Sequence, residues 1–507
     1  MKLELLDCTL RDGGYYTLWD FDTQLINQYC KFISKLPITY IEIGYRSIEK
    51  KNYLGEFYYS PISTIKKIKS QLNESQKIAL MLNTKDCRVE ELSTLLLQCT
   101  GLVDLIRLAT DPIKIEHSLE IAKTLKSFGF KVSINIMYLS TIDLNHNIFT
   151  QINNIDEYVD YLALVDSYGS IYPEQLKEII KKFQKKTTVK LGFHGHNNLE
   201  LAFSNLLTAI DCGVEVIDST ILGMGRGSGN LKLELLLLHL KAKKGWSVDL
   251  NILSQLVELF TPLMTKYKWG TNLPYMLSGT YSLPQKDVME LIAIDRYSIS
   301  SIINTMELNT PNSLEKFQYE YEVNKVLIIG GGSSINKHLK AITSYLQKNK
   351  HIIIIHSTSK YINNFSNLDN KQFFCVAGDE LTKLNDDNLY NFINQFIFEP
   401  SPRKINININ ILQEERIREL RNISFINFFH DSPLAISLQT ALDLKAKYIE
   451  IIGFDGYTKL DSKKELYLMQ ENQIIMTSFS KQQNITSLTK TNYKDLIQKS
   501  IYAKVNS

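Results

Sequence analysis

The sequence predicts an α/β protein: a (β/α)8 TIM barrel, then a helical appendage, then a second, Rossmann-like α/β domain. Three observations predict it. Eight short apolar runs alternate with amphipathic segments from residue 1 to about 245. No nucleotide-binding glycine fingerprint follows the first run, which favours closure over an open doubly wound sheet. The strand–helix pattern restarts near Tyr321 after a stretch that reads as helices.

The barrel strands are expected at 3–8, 40–44, 78–82, 102–108, 131–137, 161–165, 189–193 and 214–217. Each is rich in β-branched residues, as a parallel strand covered on both faces should be. The intervening segments, such as 116–128 and 173–185, repeat their apolar residues at helical spacing. Residues 246 to about 320 read as helices separated by a loop from Trp269 to Pro284, an appendage that returns over the barrel mouth. The expected domains are therefore 1–285, a linking appendage over 286–320, and 321–507. In the last of these, strands are expected at 325–329, 351–355, 372–376, 405–409, 425–429 and 448–452, with a glycine turn at Gly330-Gly331-Gly332-Ser333-Ser334 and a helix over 337–347.

At 507 residues the chain exceeds one ordinary core. Its 44% apolar and 22% charged content is that of a soluble globular protein. A net charge of +3, spread without blocks, leaves no footprint for nucleic acid. There is no run of eighteen apolar residues to span a membrane, and Met1-Lys2-Leu3-Glu4-Leu5 does not open a signal peptide. Six scattered cysteines without a C-x-x-C pair suit reduced thiols in a cytoplasmic protein, and neither a disulfide framework nor a cysteine zinc site.

Chemistry is concentrated at Phe193-His194-Gly195-His196-Asn197-Asn198. Strand side chains repeat every two residues, so His194 and His196 share a face at the carboxyl end of the seventh strand. Two imidazoles there make half of a divalent-metal site, although a bare H-x-H is more often a polar loop. Barrel enzymes keep their chemistry on the loops after the strands. Those ends supply Arg11-Asp12-Gly13 after strand one, Glu42 to Arg46 after strand two, Asn135 after five, Asp166-Ser167-Tyr168 after six, and the glycine-rich run Gly223 to Asn230 after eight. Asp12 is the natural anionic ligand to join His194 and His196. Arg11 would then stand where a planar cation holds a developing enolate oxygen. Asn230 could reach metal or substrate, and Arg46 is a candidate clamp for a carboxylate.

Three segments carry a more specific resemblance: Asp7-Cys8-Thr9-Leu10-Arg11-Asp12-Gly13-Gly14-Tyr15, Gly192 to Leu199, and Gly223-Met224-Gly225-Arg226-Gly227-Ser228-Gly229-Asn230. Together they resemble the signatures of the DRE-TIM metallolyases, the HMG-CoA-lyase-like superfamily, and most nearly its 4-hydroxy-2-oxovalerate aldolase branch. The resemblance spans roughly residues 1 to 285. It implies a divalent metal (Mn2+ or Mg2+ foremost, Co2+ or Zn2+ also admissible) held by Asp12, His194 and His196. It also implies that Arg11 stabilises a pyruvate-type enolate while a bond to an aldehyde is made or cleaved. Asp166 and Ser167 look like substrate contacts of that branch, and Tyr281 like its late catalytic tyrosine. One departure matters: where those aldolases carry a histidine base, this chain has Tyr15. A phenol is a poor base at neutral pH unless tuned. Either Tyr15 or Tyr16 is tuned, or metal-bound water takes the proton, or the substrate differs.

Two alternatives stay open: an acyl-CoA-dependent Claisen-type synthase on the same barrel, and a non-catalytic barrel serving as scaffold for the second domain. In that domain the Gly330 turn resembles a phosphate cradle, but Ile335 stands at the third glycine position and no acidic residue follows the second strand, so a nicotinamide site is not expected. The segments around His430-Asp431-Ser432-Pro433 and Gly453-Phe454-Asp455-Gly456 resemble nucleotide-sugar-handling domains of the sialyltransferase-like and flagellin-glycosyltransferase type. The expected partners are thus a small 2-oxo acid and an aldehyde, with a nucleotide or nucleotide-sugar at the second domain. Self-association as a homo-oligomer is left open.

Overall fold

Eight parallel strands close on themselves in chain order: β1 (Glu4–Asp7), β2 (Tyr40–Tyr45), β3 (Lys77–Asn83), β4 (Leu105–Thr110), β5 (Lys131–Ile136), β6 (Tyr161–Asp166), β7 (Lys190–Gly195) and β8 (Val216–Ser219). The computed structural model describes residues 3–505 except 144–145, 154, 295–296, 308–313, 382–390, 402, 404–413 and 458–462. Closure is completed by β1, whose Leu6 lies opposite both Tyr40 of β2 and Asp218 of β8. The (β/α)8 barrel is therefore as expected, with strand ends shifted by up to three residues. Leucine, isoleucine and valine fill the layer between strands and helices. Inside, Leu6, Cys8, Tyr40, Ala79, Leu105, Tyr161 and Val216 form the lower plug. The Tyr40 and Tyr161 hydroxyls meet there at 3.0 Å, and Tyr161 donates to Glu4 at 2.9 Å.

Strand alternation then decides what stands above that plug. Glu42 on β2, Arg107 on β4, His194 on β7 and Asp218 on β8 share the inward phase, and all four are buried. Beyond β1 the chain enters the helix Thr9–Thr17 at once, which sets Arg11 and Asp12 in its first turns. The tight entry is why this motif carries glycine. A Cβ at Gly14 would lie 2.1 Å from the Trp19 ring, and one at Gly13 2.6 Å from the Met224 sulfur.

The segment from Trp269 to Pro284 is not the loop that was expected. It holds the helix Leu273–Thr280, started by Pro274 in its first turn and by the Asn272 side chain accepting from the Tyr275 amide at 3.0 Å. This helix does return over the barrel. Asn198 donates to the Tyr275 carbonyl at 3.0 Å and to the Ser278 hydroxyl at 2.9 Å, and Trp269 Nε1 donates to the Leu222 carbonyl at 2.9 Å.

The chain divides into two units, 1–290 and 291–507. The second carries a wholly parallel sheet ordered β13-β12-β11-β10-β9-β14-β15-β16, built from β9 (Lys325–Ile329), β10 (Ile353–His356), β11 (Gln372–Val376), β12 (Gln395–Phe398), β13 (Ile417–Glu419), β14 (Tyr448–Ile452), β15 (Ile485–Ser487) and β16 (Ile497–Gln498). The strand expected at 405–409 lies outside the described residues. The one expected at 425–429 is a bent segment ending at Phe429 with φ +61°. Its apolar character serves packing, since Phe425 and Ile426 are buried in the core of this unit. Of the unanticipated strands, β13, β15 and β16 have three residues or fewer, too few for an apolar run to announce them, while β12 is a four-residue apolar run that the sequence reading passed over.

The glycine turn after β9 also differs from expectation. The Ser334 amide, which opens the helix Ser334–Lys348, donates to Asp455 Oδ2 at 2.9 Å, and the Ser334 hydroxyl donates to the same carboxylate. A Cβ at Gly332 would lie 2.6 Å from that carboxyl group. The place anticipated for a phosphate is filled by the chain's own anion, so the turn offers no support for a nucleotide. Among the described residues no helix is long and apolar enough to cross a membrane, and all six cysteines are free thiols.

Candidate active site

At the carboxyl end of the barrel, five charged side chains and one histidine form a closed buried ring. Arg11 contacts Asp12 through Nη1 and Glu42 through Nε, the latter at 2.8 Å. Glu42 Oε1 stands 3.1 Å from Arg107 Nη1, and Arg107 Nη2 contacts Asp218. The Glu42–Arg107 approach is a charge contact without good hydrogen-bond direction, since neither of those two atoms has a hydrogen-bond partner. Asp218 accepts from His194 Nδ1 at 3.0 Å, and His194 Nε2 lies 3.6 Å from Asp12 Oδ2, which closes the ring. Burial alone would raise the Asp12 carboxyl, but Arg11, His194, His196 and Arg226 more than offset it and hold the group below its usual range. Asp218 is lowered in the same way, burial being outweighed by Arg107 and His194.

Both histidines are oriented through Nδ1. That of His194 is tied to the Asp218 carboxylate, and that of His196 donates to the Asp166 carbonyl at 2.8 Å. Each ring thereby keeps Nε2 for another partner, the arrangement of ligating imidazoles. The two rings stand 5.1 Å apart, nearly perpendicular. Burial, with repulsion from His194 and Arg226, pushes His196 down to about 3, so it is a neutral lone-pair donor near pH 7. Asn230 donates to Asp12 Oδ2 at 2.6 Å, while its own Oδ1 is buried without a partner. Imidazole nitrogens, a depressed carboxylate and an orphaned amide oxygen are a donor set that fits a hard or borderline divalent cation. Among the described residues the three carboxylate, imidazole or thiol groups close enough together for one ion are Cys8, His194 and Asp218; Asp12, His194 and His196 do not all come within that distance of one another. By its chemistry the Cys8 grouping suits an ion less well: burial and Asp12 push the Cys8 thiol well up, and Asp218 is already held by Arg107 and His194 Nδ1.

The remaining sequence-predicted residues divide. Tyr15 lies beside the site, its hydroxyl 3.1 Å from that of Tyr45 and its ring under the Arg226 guanidinium at 4.5 Å. Tyr16 points to the glycine loop, donating to the Gly227 carbonyl at 3.4 Å, and burial pushes its hydroxyl up, away from use as a base. Ser167 accepts from the Tyr138 amide at 2.8 Å. The Asp166 carboxylate accepts from the Ser170 and Ile171 amides at 3.0 and 3.2 Å, so this side chain shapes its loop and burial raises it to about 6. Arg46 is not a free clamp: its guanidinium donates to the backbone carbonyls of Leu95, Tyr59 and Ser60 at 2.7 to 3.0 Å. Tyr281 ends the helix Leu273–Thr280 with 52% of its surface exposed, on the segment docked to Asn198.

Sequence reading missed Arg107 and Asp218 and left Glu42 unassigned. The signal was present: a lone charge in mid-strand of an otherwise apolar run, three times over, implies a buried partner. The glycine loop is closed by its own backbone. A Cβ at Gly229, where φ is +78°, would lie 2.3 Å from the Gly223 carbonyl oxygen, and one at Gly225 2.7 Å from the Asn230 amide it holds toward Asp12.

A parallel barrel with buried charged and polar side chains gathered at its carboxyl end defines a class, barrel proteins that carry their functional groups where the strands end. The HMGL-like family model matches residues 2–260, half of the chain, and the protein belongs to that family. Among curated relatives, the oxaloacetate decarboxylase of Mycobacterium tuberculosis is 25% identical over 240 residues, covering 47% of this chain and 70% of its own. A 4-hydroxy-2-oxovalerate aldolase of Bacillus thuringiensis is 24% identical over 277 residues, covering 52% and 77%. The N-terminal domain of a candidate aldolase from Bacteroides vulgatus is similar at 48% identity with a TM-score of 0.57, covering 59% of this chain and 99% of that one.

Proposed function

We propose that the barrel is a divalent-metal-dependent carbon–carbon lyase, an aldolase that joins a pyruvate-type 2-oxo acid to an aldehyde or cleaves the adduct. The observation that carries this reading is the buried ring that fixes Arg11 between Asp12 and Glu42 beside two histidines anchored through Nδ1. Aldolase and decarboxylase relatives support it. Asp12, His194 and His196 would hold the cation, a divalent ion such as Mn2+, Mg2+, Co2+ or Zn2+, and Asn230 would orient Asp12. Such an ion would supply Lewis-acid polarisation of the carbonyl of a 2-oxo acid.

The protein's own part is positional. Nε and Nη1 of Arg11 are committed to Glu42 and Asp12, so Nη2 remains to donate to the oxygen on which enolate charge develops. Because Glu42 and Asp12 hold the guanidinium before substrate arrives, no reorganisation is needed as that charge appears. Tyr15, whose hydroxyl shares a hydrogen bond with that of Tyr45, would accept the proton of an adduct hydroxyl while passing its own to solvent.

A second reading is favoured by Tyr15 itself. Loss of CO2 from a 2-oxo acid with a carboxylate on C3 yields the same enolate with no hydroxyl proton to remove, so a phenol at this position is no handicap. Both readings predict deuterium exchange into the pyruvate methyl group with Mn2+ present, followed by proton NMR. Absence of exchange refutes the enolate chemistry. Exchange together with aldehyde-dependent consumption of pyruvate favours the aldolase, and CO2 release from oxaloacetate without aldehyde turnover favours the decarboxylase.

A further inference from the structure

Arg226 is the cation in this site with work still undone. It sits on the glycine loop between Gly225 and Gly227, four residues before Asn230, which is bonded to Asp12. Arg11 and Arg107 each bridge two carboxylates. Among the described residues the Arg226 guanidinium has neither a salt bridge nor a side-chain hydrogen bond, and it lies over the face of Tyr15 at 4.5 Å. Stacking on a ring holds a guanidinium flat and leaves its in-plane N–H groups pointing outward, free for a planar anion. Tyr15 lies one helical turn beyond Arg11 on the same helix, so Arg226 stands to one side of the enolate position rather than on it.

We infer that Arg226 is a specificity-determining residue that receives a second anionic group on the substrate, a carboxylate or a phosphate carried beyond the bond made or broken. The inference rests on the enolate reading only for which end of the substrate faces Arg11. Arg226 and Asp12 feel each other's charge, but no carboxylate contacts the guanidinium, and a ligand anion would supply that contact in a largely buried site. The substrate class is thus a dianionic 2-oxo acid, or an aldehyde bearing its own acid group.

The test compares Kd values by calorimetry on the full chain with Mn2+ present. One pair of probes is 2-oxoglutarate and its uncharged-tail match 2-oxopentanoate; the other is 3-phosphonopyruvate and 2-oxobutanoate. The native protein should favour the charged tail in at least one pair, and that pair identifies carboxylate or phosphate. Arg226→Met should erase the preference, by about 10- to 100-fold, the range for one charge-assisted hydrogen-bonded contact. Arg226→Lys should keep part of it and serves if the methionine variant does not fold. No preference for a charged tail in the native protein overturns the inference, as does a preference unchanged by substitution. A charged-tail preference that depends on Arg226 in a protein unable to exchange pyruvate methyl protons would uphold the inference while refuting the enolate reading.

Discussion

Replacing Arg107 by methionine tests the buried ring most directly. Arg107 is 1% exposed and is the only described bridge between Glu42 and Asp218. At the 3.1 Å separation from Glu42 Oε1, and with an effective dielectric near 20, the Coulomb term for that contact alone is about 5 kcal/mol. Methionine fills similar volume, so the loss is electrostatic, with Glu42 left to Arg11 alone and Asp218 to His194 alone. Removing one partner from a buried pair costs about 3–5 kcal/mol. For a unit of this size that lowers the midpoint of thermal unfolding by roughly 10 °C. Asp218 also orients His194, so metal affinity should fall by about 10- to 100-fold. Trp19, Trp246 and Trp269 all lie in the first unit, so tryptophan fluorescence in a urea titration reads the barrel alone. Arg107→Met combined with Glu42→Gln should cost less than the sum of the two, because the double change removes a charge from each side. A loss under 1 kcal/mol for Arg107→Met, with metal affinity intact, would refute the ring as a structural and orienting device.

Three further predictions use independent readouts. His194→Ala or His196→Ala should each abolish stoichiometric Mn2+ in elemental analysis of the purified protein, and full occupancy would remove these residues from the ligand set. Arg11→Lys should retain the metal yet lower turnover by about 10²- to 10³-fold, since a point charge cannot reproduce the fork held by Glu42 and Asp12; turnover near the native rate would end its enolate role. In the second unit, His356 is buried against Gln372 at 2.8 Å, and burial pushes it down to about 4 from an unfolded value near 6.5. Its folded form prefers to stay neutral, so this contribution is whole above pH 6.5 and is lost as pH falls toward 4, about 3 kcal/mol in all. Hydrogen exchange of peptides from β9 to β11 should accelerate across that window, and His356→Gln should flatten the dependence; equal acceleration in both proteins would show that His356 is not the cause.

The sequence by itself determined the barrel and most of its polar inventory. Apolar β-branched runs alternating with amphipathic segments can be satisfied only by parallel strands buried on both faces, and that pattern is local. The pairing of His194 with His196 was legible for the same reason, because a two-residue period sets both on one face. Which partners those faces meet is not local. Glu42, Arg107 and Asp218 lie on three strands spread over 177 positions of chain, and only closure of the sheet brings them into one ring. The same holds for Arg46, whose guanidinium is absorbed by three backbone carbonyls, and for the Ser334 cradle, filled by Asp455 from far along the chain. Segments such as 425–429 misled for a related reason: burial accounts for their composition equally well as strand or as bend, and tertiary packing made the choice. Composition and period decide which residues must leave water, but a charge's role depends on the opposite charge it meets, and that is a property of the folded chain.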